Sequence, residues 1–222
     1  IPAFDFFMAK GVAKSFRKHL ASFINFYVAM ENGNQADEKS IRTLIKEYLP
    51  SIKTTEAERE TLRIALVALQ IIIDKEHLAR IVEKAYQQTR KDTHQAMEGF
   101  IHNLNTMHSR GGNQVVFSSI NYGTDTSAEG RMVIEELLKA TIEGLGTRGE
   151  VPVFPIQIFK VKDGVSYSEK DFEKAMKAEN IEEAMTDRYE APNFDLLLKA
   201  SQTTAKALFT NLLFLHAPFN QH

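Results

Sequence analysis

The chain has 222 residues, 27 Lys+Arg against 29 Asp+Glu for a formal net charge of −2, 43% hydrophobic residues, and neither Cys nor Trp. That length allows one large domain or two small ones with a real core, and the balanced charge gives no basic field for nucleic acid or an anionic membrane. Without Cys there can be no disulfide, thiolate metal site, iron–sulfur ligation or cysteine nucleophile within this chain, and no apolar run approaches the roughly 18 residues that span a bilayer.

The N-terminus starts at Ile1 and is interrupted by Pro2, Asp5 and Lys10, so it lacks the pattern of a secretory signal. The chain reads as an interior segment of something longer. Apolar spacing predicts a first helix over about Phe6 to Met30, with Val12, Phe16, Leu20, Phe23, Ile24, Tyr27 and Val28 on one stripe. Gly11 weakens its start, since a mid-helix Gly costs about 1 kcal/mol against Ala. Gly33-Asn34 ends it. Asp37 caps a second helix that runs to about Leu49 and stops at Pro50. Thr55-x-x-Glu58 is a capping box for a third, whose apolar face takes in Leu62, Leu66, Leu69 and Ile73. The fourth, over 76–108, keeps the helical period from Leu78, Val82 and Ala85 through Ala96, Met97 and Ile101 to Met107. Its length suggests packing against several elements or another subunit.

The chain changes character near residue 110. Gln114–Asn121 reads as a strand, and Thr126-x-x-Glu129 as a capping box before a helix carrying Met132, Val133, Leu137, Leu138 and Ile142. Pro152–Val161 is a second strand, Ser168-x-x-Asp171 opens another helix, Asn193 or Asp195 the last one, and Leu212–Leu215 is a third strand. Helices between strands favour a parallel sheet with crossover helices, hence an α/β fold. The organisation expected is a helical region over 1–110 and an α/β region over 111–222.

Few residues carry chemistry by spacing alone. His94, Glu98 and His102 sit at i, i+4 and i+8, but the outer two diverge by about 80° around the helix axis and no fourth ligand is evident, so no metal is expected. Gly111-Gly112 after Arg110 matches no phosphate-loop spacing and reads as a helix stop. Thr126-Ser127 opens a helix whose N–H groups would attract an anion, but its cap already uses two of them. Ser118, Ser119 and Asn121 crowd the end of a strand, where α/β folds place ligands. Ser119 and Asn121 should share one face and Ser118 take the other. Such a cluster can hold phosphate or ribose oxygens, or it can satisfy a buried strand end.

One run carries a resemblance. Arg110-Gly-Gly-Asn-Gln-Val-Val-Phe-Ser-Ser-Ile-Asn-Tyr-Gly-Thr-Asp125, with Ile101–Ser109 before it, resembles anaerobic (class III) ribonucleoside-triphosphate reductases. The likeness extends through Phe4-Asp-Phe-Phe-Met-Ala9, Glu129-Gly-Arg-Met-Val133, Pro152–Lys160 and Phe214-Leu-His-Ala-Pro-Phe-Asn220. It implies part of a ten-stranded α/β barrel, made of two parallel five-stranded halves, against which a helical N-terminal part packs. That helical part would lie where two subunits meet and where ATP or deoxynucleotide effectors act. The implied parent is cytoplasmic, binds neither nucleic acid nor membrane, and converts ribonucleoside triphosphates to deoxyribonucleotides. It would use a glycyl radical, a thiyl radical, formate as reductant, a structural zinc, and an iron–sulfur radical-SAM activase as partner. The zinc with its cysteines, the second active-site cysteine and the radical glycine would lie outside this chain, which holds no cofactor of its own. Ser118, Ser119, Asn121 and Asn220 would be substrate-binding, and Ser201 stands where the resemblance expects the thiyl cysteine. Ala207, Thr210, His216 and Lys10 also depart from the pattern, where Arg, Pro, Asp and Pro are expected. The expectation is a reductase piece without turnover of its own. The alternative is a non-catalytic nucleotide-binding and dimerisation module.

Overall fold

A computed structural model describes residues 1–33, 36–106, 117–146, 148–207 and 210–215. They form two compact units, Lys10–Thr93 on one hand and Ile1–Ala9 with His94–His222 on the other.

The first unit is helical. It holds most of α1 (Phe4–Asn32), α2 (Glu38–Tyr48), α3 (Glu56–Leu66) and the N-terminal part of α4 (Lys75–Thr106). Phe16, Leu20, Ile24, Ile41, Ile45, Leu62, Leu66 and Leu78 are buried at its centre. The caps are those the sequence announces. Asp37 accepts from the N–H groups of Lys39 and Ser40, and Thr55 and Glu58 form a reciprocal capping box. Gly11 does not interrupt α1, and nothing lies within 4 Å of where its Cβ would be.

Two expectations change here. The third helix stops at Leu66 instead of carrying Leu69 and Ile73 on its face, because Val67–Leu69 tightens into a 3₁₀ turn and Gln70 turns left-handed at φ 59°. Ile71 N then donates back to Leu66 O at 3.1 Å, and Ile71 and Ile73 are buried from irregular chain. On α4, Ala96 is exposed. Thr89 and Thr93 take the buried stripe, their hydroxyls donating to the carbonyls of Ala85 and Thr89 at 2.7 and 2.8 Å. A hydroxyl that bonds the preceding turn can be buried at little cost.

The second unit is built on three parallel strands in the order β1 (Ser119–Tyr122), β2 (Ile156–Lys162), β3 (Thr210–Leu215). The crossovers run through α5 (Ala128–Glu143) and then through α6 (Glu169–Ala175), α7 (Ile181–Thr186) and α8 (Phe194–Ala207). The predicted α/β class and parallel sheet are therefore present. Ile120, Tyr122, Gln157, Phe159 and Val161 are buried on one face of the sheet, toward the helices. There Tyr122 donates to Gln157 Oε1 at 2.7 Å, and Gln157 Nε2 donates to Thr141 of α5 at 2.7 Å.

β2 begins at Ile156 rather than near Pro152, because Pro155 has no N–H to give a ladder. The segment before it is held by one side chain instead. Asn105 accepts from Val153 N and Phe154 N at 2.8 and 3.0 Å and donates to Phe154 O at 2.6 Å. The first strand covers Ser119–Tyr122 among the described residues, and 114–116 lie outside them. The cap of α5 is Ser127, not Thr126. Asp125 Oδ1 accepts from Ser127 N at 2.8 Å, a local turn that moves the helix start by one residue. α7, capped by Asn180, is a six-residue helix that periodicity does not reveal.

Asp171, the acidic residue of the Ser168 cap, is 2% exposed and ties α6 to the stretch before α8 by accepting from Glu190 N at 2.8 Å and Ala191 N at 2.9 Å. Burial pushes its carboxyl up. The N–H groups of Ala191 and Glu190 and the Ser168 hydroxyl outweigh that and hold it below the ordinary carboxylate value. A carboxyl lowered in the fold stabilises above its unfolded pKa of about 3.9 and loses that stability as pH falls through the folded value. Asp171→Asn should therefore unfold about 2 kcal/mol more easily than wild type at pH 7. In urea titrations repeated at decreasing pH, that gap should close below about pH 4.

Candidate functional site

The sheet face turned away from the helices is the candidate site. β1 places Ser119 and Asn121 on it, beside Ile156 and Ile158 of β2. Ile158 in turn pairs with Asn211 of β3, and Lys160 with Leu213. Paired residues of parallel strands point the same way and lie about 4.8 Å apart, so Asn121, Ile158 and Asn211 form a row with an amide at each end. Among the described residues the face is uncovered: Ile156 is 40% and Leu213 45% exposed. Hydroxyl and amide groups over an apolar floor, with Lys160 at the margin, can hold ribose or phosphate oxygens by hydrogen bonds. Asn211 is absent from the residues singled out by spacing. Only the strand register could have found it.

Ser118 lies just before β1, and the alternation of faces puts it opposite Ser119. Its Oγ is buried and has no hydrogen-bond partner among the described residues. Asn220, His216, Gly111 and Gly112 lie outside the described residues. Ser201 sits within α8, half-buried, its Oγ donating to Leu197 O at 2.9 Å. α8 belongs to the helix layer and Ser119 and Asn121 to the bare face, so the structure does not bring Ser201 together with them.

A buried network fixes the loop that leaves β1. Asp5 Oδ2 accepts from three successive amides, Gly123 N at 2.9 Å, Thr124 N at 3.1 Å and Asp125 N at 3.0 Å. Such a row of amides at the C-terminal end of a parallel strand is an anion-binding cradle. Here a carboxylate of the same chain fills it. Asn193 Nδ2 donates to the carbonyls of Gly123 and Asp125 at 3.0 and 2.9 Å. Arg131 bonds Asn193 Oδ1 at 2.9 Å, Pro192 O, and both carboxylate oxygens of Asp195 at 3.1 and 2.6 Å. Gly123 is at φ +114°, and a Cβ there would meet Lys160 O at 3.0 Å. The loop that follows Ser119 and Asn121 is thus held by hydrogen bonds to Asp5 and from Asn193, the latter bonded in turn by Arg131.

The helical unit has a different feature. Lys14, Arg17 and Lys18 of α1 and Lys39, Arg42 and Lys46 of α2 line one cleft of about 560 Å³. Arg42 pairs with Glu38 at 2.5 Å, while the other five form no ion pair within 4 Å among the described residues. His19 bonds Asp92 at 2.6 Å at its margin. Burial raises the Asp92 carboxyl, but hydrogen bonds from His19, Gln88 and Ser15 bring it below its ordinary value, so it stays ionised beside the cations.

The histidine–glutamate spacing on α4 resolves differently from its sequence pattern. His102 is exposed and takes no part, and Glu143 of α5 stands at the third corner beside His94 and Glu98.

Comparison with known proteins decides the family. A family model described as anaerobic ribonucleoside-triphosphate reductase matches residues 1–221. The chain belongs to the anaerobic ribonucleoside-triphosphate reductase family. The reductase of that name from Enterobacteria phage T4 is 27% identical over 140 residues, 63% of this chain and 20% of that protein. The Escherichia coli K12 reductase is 30% identical over 129 residues, 58% of this chain and 15% of that protein. That of Haemophilus influenzae is 30% identical over 123 residues, covering 55% and 14%. The chain thus matches a fifth or less of the length of these reductases. Among the described residues no helix is long and apolar enough to cross a membrane.

Proposed function

We infer that this chain is the part of a cytoplasmic anaerobic reductase that presents the substrate-facing side of a barrel, and that it has no turnover by itself. In the whole protein, ribonucleoside triphosphates would be reduced at the 2′ position with formate, by way of a glycyl radical raised by an iron–sulfur activase. Family membership carries this reading, and the bare sheet face supports it. Three parallel strands that the described residues cover on one side only fit a sheet that continues into a ten-stranded barrel, with Ser119, Asn121 and Asn211 turned inward toward substrate. The outer edge of β1 favours such continuation. Ile1 N donates to Ser119 O at 2.6 Å and Asn121 N donates to Ile1 O at 2.9 Å, the bonding pattern of a further parallel strand.

Ser201 explains the expected inactivity. A serine O–H bond is too strong to serve as a hydrogen-atom carrier in place of a thiol, and the chain contains no cysteine to take the role. Mixed anaerobically with activase, formate and a ribonucleoside triphosphate, the chain should form no deoxynucleotide above background. Product above background would overturn this reading.

The basic cleft favours a second reading, a nucleotide-binding and dimerisation module. Five cations that form no ion pair within 4 Å among the described residues repel one another more than Asp92 offsets, and a triphosphate would relieve that repulsion. On this reading ATP or a deoxynucleotide binds the cleft and shifts the chain toward homodimers. Sedimentation of the same sample across effector concentrations separates the two readings. A monomer at every concentration would exclude the second and leave the first untouched.

A further inference from the structure

His94 and Glu98 lie one turn apart on α4, and Glu143 is the last residue of α5. His94 Nε2 is 2.9 Å from Glu143 Oε2 and 3.7 Å from Glu98 Oε1. One ligand atom from each of the three lies within 4.8 Å of the others. Across the ring, His94 Nδ1 is 3.0 Å from Oε2 of Glu136, a carboxylate only 2% exposed. The geometry points to a divalent transition-metal site, suited to Zn²⁺, with His94 Nε2, Glu98 and Glu143 as ligands and Glu136 as the positioning residue.

The argument starts from the ring. A buried carboxylate at Nδ1 takes the Nδ1 proton as a hydrogen bond and leaves the lone pair on Nε2. Glu98 and Glu143 face that lone pair, and a cation between them would satisfy both carboxylates and the lone pair at once. A proton on Nε2 can bridge to Glu143 at 2.9 Å, but it leaves Glu98 at 3.7 Å without a bond. A metal engages all three. Tetrahedral Zn²⁺ with bonds of about 2.0–2.2 Å sets its ligand atoms about 3.3–3.6 Å apart, and the two separations from Nε2 fall on either side of that spacing. Glu143 is in the last turn of α5, where a cation is favoured and a carboxylate alone is not. Glu98 and Glu143 are half exposed, so water can reach a fourth position. Lys139 Nζ, 3.9 Å from Glu143 Oε1, is the competing cation, and an exposed pair at that distance is weak. Bound metal would clip α4 to α5 and stabilise the fold by mass action.

The test uses the full chain, stripped with chelator and titrated with Zn²⁺ alone by calorimetry, then with Co²⁺ followed by its visible absorption. One equivalent should bind, and Co²⁺ should give the intense bands of four-coordinate cobalt. Glu143→Gln should weaken binding at least about 100-fold, Glu136→Gln by about 10- to 100-fold, and His102→Ala not at all. The thermal midpoint should rise with Zn²⁺ in the wild type but not in Glu143→Gln. Because Glu143 is half exposed, that variant folds, and circular dichroism checks it. Failure to bind one equivalent, or equal affinity in Glu143→Gln, would overturn the site. Unchanged affinity in Glu136→Gln would remove Glu136 from it.

Discussion

Asp5→Ala is expected to destabilise the sheet-containing unit by about 4 kcal/mol. Asp5 is fully buried, and its Oδ2 satisfies the amides of Gly123, Thr124 and Asp125 at 2.9–3.1 Å. Alanine removes the acceptor and leaves the donors where they are. Each buried donor left unpaired costs about 1–3 kcal/mol. Water can reach the amide of Thr124, which is only partly buried, while Gly123 and Asp125 are closed off. Two full penalties and part of a third give the figure. Asp5→Asn keeps one oxygen acceptor without the charge and should lose about half as much. Urea unfolding followed by circular dichroism measures both. A loss under about 1 kcal/mol for the alanine variant would mean the loop finds other partners.

Gly130→Ala should reverse the usual sign of its substitution. In an open helix, Gly to Ala gains about 1 kcal/mol. Gly11 of α1 is such a position and serves as the control, since nothing lies within 4 Å of where its methyl would sit. At Gly130 a Cβ would sit 2.1 Å from Asp125 Cγ and 2.2 Å from Asp125 Oδ2. Asp125 cannot step aside freely. Its Oδ1 accepts from Ser127 N, its N–H donates to Asp5, and its carbonyl accepts from Asn193. The methyl must push the whole loop, and overpacking of this kind costs about 1–3 kcal/mol. Midpoints of thermal unfolding for Gly130→Ala and Gly11→Ala should therefore move in opposite directions. Movement in the same direction would show that Asp125 yields.

What the sequence disclosed was local. Asp37, Thr55 with Glu58, and Ser168 with Asp171 announce helix starts because a cap is written within four residues. The parallel sheet followed from the alternation of strand and helix patterns. Termination was harder. The left-handed turn at Gln70 carries no glycine to mark it, and Pro155 delays β2 through a missing N–H that hydropathy does not register. The bare-face residues Ser119 and Asn121 were legible as a cluster, whereas Asn211 joins them only through strand register. The supporting network was not legible at all. Asp5 meets amides 118–120 residues away, and Arg131 reaches Asn193 and Asp195 more than 60 residues on. The same holds for His94: helical period pointed to His102, while its actual neighbour Glu143 arrives from another helix. Ser201 stood out only through a resemblance to a family, since nothing in its own surroundings distinguishes it from any helical serine bonded one turn back.

The pairing of Asp5 with Gly123 also sets an order of events during synthesis. Gly123 follows Asp5 by 118 positions, and the whole of Lys10–Thr93 lies between them. At about 5–20 residues per second a ribosome takes about 6–24 s to cover that distance. The segment Lys10–Thr93 leaves the exit tunnel while Phe4 and Asp5 still wait for the loop that will enclose them. For that interval Phe4 and the Asp5 carboxylate are in water, so the first turn of α1 is the last part of the first helix to acquire its native surroundings.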